Sequence, residues 1–303
     1  EVPRRGGGVE GNSIDVAPDL SAPAGPLPAL RAETRKVDPD RWALFSDTHI
    51  DADPATIARN VPLADHLRTA VAGVQALATA PAGLFINGDC SLDRGLPGDY
   101  ATLSELLRPL VGNVPLHLLL GNHDDREVFY TSLKEHRPAA PVVASKHVSV
   151  VEGARANWFL LDSLDVTKQT PGLLGDEQRA WLAKALDQRT DKPALIMLHH
   201  NPVAATTGKV VGLVDTPALL ELVLPRRHVK ALFFGHTHVW RQTVQDGLHL
   251  VNLPAVAYPF NPAEVTGWID CRLREGGMTL EVRAHDEKHA AHGKPLDFAW
   301  RTA

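Results

Sequence analysis

An α/β fold with parallel or mixed sheets covered by helices is what this sequence predicts, and three observations carry that expectation. From Trp42 onward short apolar runs alternate with amphipathic stretches, the β-α-β rhythm of such sheets. Hydrophobic residues make up 44% and charged residues 22% of the 303 positions, a balance that buries a core. Side chains of metal-ligand type follow directly on several apolar runs, and α/β sheets bind ligands at the carboxyl ends of their strands.

Residues 1–40 are rich in Gly, Pro and Ala without an apolar period, and read as a flexible N-terminal segment. The chain begins at Glu1 rather than Met, which suggests a trimmed precursor; a cytoplasmic and an exported compartment, periplasmic or extracellular, both fit. Residues 41–303 read as one domain. Its first strand is Trp42–Phe45, followed by a helical pattern from Ala55 to Leu77 and a strand at Gly83–Ile86. A helix near Tyr100–Leu110, a strand at Leu116–Leu120 and strands at Val148–Val151 and Trp158–Leu161 continue the series. Trp181, Leu182, Ala185 and Leu186 share one face of a helix over Asp176–Leu186. Ala194–Leu198, a helix at Pro217–Leu224 and Val229–Phe234 complete the alternation. Strands then follow one another at Leu248–Leu253, Trp268–Leu273 and Met278–Val282, the last two joined at Glu275-Gly276-Gly277 as a C-terminal β-hairpin extension.

A net charge of -5 argues against a nucleic-acid polymer or an anionic membrane surface as partner, because either calls for a basic face. A small anion bound through metal ions is not excluded, since the ions supply local positive charge. Cys90 and Cys271 are the only cysteines, too few for a disulfide framework, and both read as buried small residues. No run of about twenty apolar residues exists, so no transmembrane helix is expected. A homo-oligomer is compatible with all of this.

The chemistry lies in five short motifs. Asp47-Thr48-His49 places two ligand-type side chains at i and i+2, on one side of an extended segment. Gly88-Asp89 adds a carboxylate able to bridge two metals through its two oxygens, with a glycine permitting close approach. Gly121-Asn122-His123-Asp124 delivers an amide oxygen, an imidazole and a carboxylate in succession. His199-His200-Asn201-Pro202 offers two imidazoles of which one faces the metals, and Gly235-His236-Thr237-His238 repeats the i, i+2 pattern. Taken singly, each is explained by an ordinary turn, a surface pair or a satisfied histidine. Coincidence of all five in this order is implausible.

In that order the motifs resemble the calcineurin-like metallophosphoesterase superfamily, and within it the class III cyclic-nucleotide and glycerophosphodiester phosphodiesterases, over roughly Trp42 to Pro259. The resemblance implies a four-layer α-β-β-α sandwich of two mixed β-sheets flanked by helices. It implies that Asp47, His49 and His238 hold one metal, that Asn122, His199 and His236 hold the other, and that Asp89 bridges. His199 rather than His200 is implied because the family ligand is the first residue after the strand. Leu92 stands where the purple acid phosphatases carry a tyrosine, so an iron-tyrosinate centre is not expected.

The expected reaction is hydrolysis of a small phosphodiester by hydroxide generated at two ions. Imidazole, amide and carboxylate donors suit Fe, Mn, Zn or Co better than Ca or Mg. His123 is expected to stabilise or protonate the leaving oxygen and Asp124 to orient it, while Arg126 and His200 are expected to touch substrate. Phosphomonoesterase or protein phosphatase activity is the alternative. A non-catalytic scaffold on the same fold is more remote, because every expected ligand position is filled.

Overall fold

The computed structural model describes residues 35–202 and 211–302. Of the N-terminal segment expected over residues 1–40, positions 1–34 lie outside the described residues. Strand β1 (Val37–Phe45) starts earlier than the apolar run Trp42–Phe45 suggests, because Val37 and Asp38 already pair with Ala80 and Pro81. The helix expected from Ala55 is corrected: a hairpin of β2 (Ile57–Ala58) and β3 (Val61–Pro62) comes first, and α1 covers only Leu63–Gln75. Arg59 and Asn60 adopt φ of 50° and 65°, the geometry of a two-residue hairpin turn. Pro62, which would clash inside a helix, stands instead at its N-cap.

β4 (Ala80–Asn87), α2 (Pro97–Leu107) and β5 (Leu116–Leu119) follow the expected rhythm. Helix α2 tightens into a 3-10 turn at Arg108–Leu110, where Pro109 has no N–H to continue it. A short α3 (Arg126–Ser132) is not foreseen by periodicity; the Asp125 carboxylate caps it by accepting the Val128 N–H at 2.9 Å. β6 (Ser149–Glu152), β7 (Asn157–Leu160), α4 (Asp176–Asp187), β8 (Ala194–Met197), α5 (Thr216–Val223) and β9 (Val229–Phe234) match their expected positions to within a few residues. The remaining strands are β10 (Arg241–Gln245), β11 (Leu248–Asn252), β12 (Gly267–Arg274), β13 (Gly277–Ala284) and β14 (Pro295–Ala299).

Two six-stranded sheets result, ordered β14-β13-β12-β1-β4-β5 and β10-β11-β9-β8-β7-β6. Both are mixed: β1, β4 and β5 run parallel in the first and β7, β8, β9 and β11 in the second, while the outer partners are antiparallel. The β12–β13 hairpin is integral to the first sheet, since β12 pairs directly with β1.

Side-chain alternation sorts the core into three slabs. Trp42, Leu44 and Phe85 of the first sheet meet Trp158, Leu195 and Phe233 of the second, with Phe85 and Trp158 rings 4.9 Å apart. On its other face the first sheet packs Ala43, Phe45 and Ile86 against Leu67, Val71 and Leu103 of α1 and α2. The second sheet buries Phe159, Ile196 and Leu232 beneath Leu182 and Leu186 of α4 and Leu219 of α5. Helix, sheet, sheet and helix therefore form the expected four layers. Among the described residues no helix is long and apolar enough to cross a membrane.

Candidate metal centre

Every motif residue follows the carboxyl end of a parallel strand. β1 leads into Asp47 and His49, β4 into Asp89, β5 into Asn122 and His123, β8 into His199 and His200, and β9 into His236 and His238. At these exits the backbone bends sharply: Asp47, His49, Asp89, His236 and His238 all have positive φ, between 46° and 69°. Residues with a Cβ disfavour this region, and clusters of such outliers mark functional sites. Glycines make the convergence possible. A Cβ on Gly88 would meet the His199 ring at 2.7 Å, and one on Gly121 would collide with the Asp89 carboxylate.

The side chains assemble into one buried cluster. His49 Nε2 lies 3.2 Å from His238 Nε2, and His238 Nε2 lies 3.3 Å from Asp47 Oδ1. Asp89 Oδ2 stands between the two histidine groups, 3.6 Å from His49 Nε2 and 3.2 Å from His199 Nε2. The other oxygen, Asp89 Oδ1, accepts the His123 backbone N–H at 2.9 Å. Of the two oxygens, Oδ2 is thus the one that faces both histidine groups. Ligand atoms of Asp47, His49 and His238, and those of Asp47, Asp89 and His199, lie within 4.8 Å of one another.

Backbone carbonyls aim the rings. His199 Nδ1 donates to the Asn87 carbonyl at 2.8 Å and His238 Nδ1 to that of Tyr258 at 2.5 Å, which turns each Nε2 inward. His236 is held the other way, with Nε2 on the Val211 carbonyl at 2.8 Å and Nδ1 left over. Burial opposes charge throughout. It pushes His49 down to about 3 and His236 to about 4. At His199 burial acts in the same sense, but Asp89 and Asp47 outweigh it and raise the imidazole to about 9. For Asp47 and Asp89 burial is outweighed by His238 and His199 respectively, and both carboxyls stay below the usual range.

These residues fit a metal. Asn122 Oδ1, His49 Nδ1, His199 Nε2 and His200 Nε2 are buried without a hydrogen-bond partner, a costly state unless something is bound there. No lysine or arginine among the described residues lines the adjoining cavity of about 360 Å³, so there the carboxylates face imidazoles rather than a permanent side-chain cation. Mixed imidazole, amide and carboxylate donors suit a transition metal.

His123 sits beside the cluster, edge-on to His49 at 4.9 Å, half-buried, with Nδ1 unpartnered. The expectation that Asp124 orients it is corrected. The Asp124 oxygens accept the backbone N–H groups of Cys90, Ser91 and Gly121 and the Tyr100 hydroxyl, so Asp124 pins two strand exits together. Its carboxyl is raised to about 6, first by burial and then by Asp89. Arg126 is likewise committed elsewhere: Nε donates to the buried Asp162 at 2.7 Å and Nη2 to the Leu164 carbonyl at 2.9 Å. His200 is fully buried behind His199 and His236, its Nδ1 2.8 Å from the Ser163 hydroxyl; contact with substrate is not open to it. Cys90 is buried with its thiol pushed up by burial, as expected of a packing residue.

Sequence reasoning missed the aromatic rim. Tyr258 stacks on His49 at 5.0 Å and Phe260 on His238 at 4.1 Å, and Phe260, Thr170 and Val211 wall the cavity. No local motif marks them, because their role comes from the loop after β11.

Comparison with known proteins agrees with this geometry. The model of the calcineurin-like phosphoesterase family matches residues 41–240. A probable cyclic nucleotide phosphodiesterase of Rhodococcus erythropolis is 31% identical, over 84% of this chain and 86% of that protein. The 3',5'-cyclic adenosine monophosphate phosphodiesterase CpdA of Pseudomonas aeruginosa is 28% identical, over 80% and 85%. The glycerophosphodiester phosphodiesterase GpdQ of Enterobacter lignolyticus is 25% identical, over 71% and 77%. Among solved structures, a dimetal phosphatase from Danio rerio shares the fold with a TM-score of 0.67 at 14% identity, covering 87% of this chain and 100% of that one.

Proposed function

Because the chain belongs to the calcineurin-like phosphoesterase family, we propose that it is a dinuclear metal-dependent hydrolase whose substrates are small phosphodiesters. The observation that carries this reading is Asp89 Oδ2, placed between His49 on one side and His199 on the other. Asp47, His49 and His238 would hold one ion, Asn122, His199 and His236 the second, and Asp89 both. When bound, such ions acidify a water and neutralise phosphoryl oxygens during in-line displacement. Fe, Mn, Zn and Co all suit this donor set.

The chain's own residues divide the remaining work. The Asn87 and Tyr258 carbonyls fix the His199 and His238 rings, so the ligand atoms are preorganised. His123, whose backbone N–H donates to Asp89 Oδ1, would give a proton to the leaving-group oxygen. Asp124 keeps the β4 and β5 exits in register, and so acts on the site only through position. Among the described residues no lysine or arginine lines the cavity wall itself, Arg59 lying beyond Phe260 at the rim, and this favours a diester monoanion over a monoester dianion.

Initial rates on bis-(p-nitrophenyl) phosphate and p-nitrophenyl phosphate, with protein of measured Mn, Zn and Fe content, test the reading. Higher kcat/KM on the diester is expected; a strong monoester preference overturns it.

A further inference from the structure

Beyond the ligands, one feature of the cavity mouth is unusual in its construction. Arg59 occupies the first turn position of the β2–β3 hairpin with φ of 50°, a conformation that suits Asn or Gly but disfavours a long side chain. The turn nevertheless carries its guanidinium over two rings, 5.4 Å from the Tyr258 centroid and 5.0 Å from that of Phe260. Arg59 is exposed and, among the described residues, pairs with no carboxylate. Phe260 lies nearly parallel to the His238 ring, at 18°, yet 52% of it is exposed. The exposed part of this ring is apolar area open to a ligand at the cavity mouth.

The surface so formed meets the cavity at Phe260, which lines its wall. Phe260 and Val211, itself 46% exposed, give apolar walls, and the exposed Arg59 guanidinium held over the rings offers a cation to the face of a further aromatic ring. A polyol can accept hydrogen bonds from the guanidinium but covers little of the apolar area of Phe260 and Val211. A planar ring on the ester does gain, by stacking and by covering apolar area.

Resting on the diesterase reading above, we infer that Arg59 and Phe260 are specificity-determining residues which bind a planar aromatic substituent of the substrate. Diesters bearing a nucleobase or another aryl group are then selected over diesters of glycerol. Tyr258 supports the guanidinium and makes no substrate contact, as only 7% of it is exposed.

The test compares kcat/KM for adenosine 3',5'-cyclic monophosphate and bis-(p-nitrophenyl) phosphate with that for glycerophosphoethanolamine, in protein of equal metal content. In Arg59→Ala and Phe260→Leu the aromatic-to-aliphatic ratio is expected to fall about tenfold, through KM. Arg59→Lys, which keeps the charge and loses the flat face, is expected to behave like Arg59→Ala. Calorimetric binding of adenosine 5'-monophosphate is expected to weaken similarly, and that of glycerol 3-phosphate to weaken less. Restoration of the ratio by lysine, or equal losses on all three substrates, overturns the inference, as does an unchanged ratio in Arg59→Ala and Phe260→Leu. If the metal-loaded wild-type protein hydrolyses no diester while binding adenosine 5'-monophosphate through Arg59 and Phe260, the diesterase reading fails and the aromatic site stands.

Discussion

The molecule buries charge in two places and treats it in opposite ways. On the outer face of the first sheet, Asp270 of β12 is 1% exposed. It accepts from Arg41 Nε at 2.8 Å and Nη2 at 2.5 Å, and from Arg272 and Arg283 at 3.1 Å each. At the strand exits, Asp47 and Asp89 are equally buried but face imidazoles, several of which end in unpartnered nitrogens. The first carboxylate is neutralised by the chain itself, in unstrained strand backbone; the second pair sits on left-handed backbone with no arginine or lysine lining its cavity among the described residues. A buried charge that its own protein satisfies is a structural element, whereas one left to an outside cation is a site.

That contrast is broken or upheld by substitution. In the site, Asp89→Asn is expected to cut kcat/KM by on the order of a thousandfold or more while changing the melting temperature of the metal-free protein little, as steady-state rates and calorimetry would show. Asp270→Ala should do the reverse. It strands the buried Arg41 guanidinium, whereas Arg283 keeps Glu281 and Arg272 is open to water, and is expected to cost about 3 kcal/mol in urea unfolding, with kcat/KM of the folded fraction preserved. An Asp270 variant that lost activity without losing stability would erase the distinction.

Smaller effects sharpen it. His123→Ala should retain both metals, by elemental analysis, and slow turnover roughly a hundredfold on diesters with poor leaving groups. Full turnover would remove His123 from the reaction. Adding Mn²⁺ at about a hundred times its dissociation constant should stabilise the wild-type protein by about 2.7 kcal/mol, and Asp89→Asn by less.

The two regions also differ in their response to pH. The Asp270 carboxyl is depressed in the folded state, burial being outweighed by Arg41, Arg272 and Arg283. Its contribution to stability is therefore present above the unfolded value near about 4 and is lost as pH falls through the lower folded value. At the site, His199 is raised to about 9, so a metal entering below that pH must displace a proton. Metal affinity should then rise with pH, by up to about tenfold per unit, and level off above about 9. Calorimetric titrations at several pH values would show it, and a flat profile would contradict it.

How far the sequence foretold all this depends on whether a residue's role is local. Strand exits announced themselves, because Asp47, Asp89, Asn122, His199 and His236 each stand just past an apolar run, and parallel strands bring such ends together. Alternation of strand and helix likewise follows from hydrophobic period. What was hidden is set by tertiary partners. Asp124 looks catalytic beside Asn122 and His123, yet it clamps backbone N–H groups of two strand exits. Arg126 looks like a phosphate ligand until Asp162, thirty-six positions away, claims it. The hairpin Ile57–Pro62 is masked by the apolar period of the helix that follows. The polar, largely exposed β10 and β14 pair only by docking onto sheet edges, so neither shows the alternation of a half-buried strand.

Anomalous diffraction at the Mn edge, from crystals of protein loaded with Mn²⁺, tests the shared carboxylate most directly. Two peaks are predicted, one against Asp47, His49 and His238 and the other against Asn122, His199 and His236, with Asp89 Oδ2 coordinating both. A single peak, or two peaks in separate pockets with Asp89 touching at most one, would contradict the account.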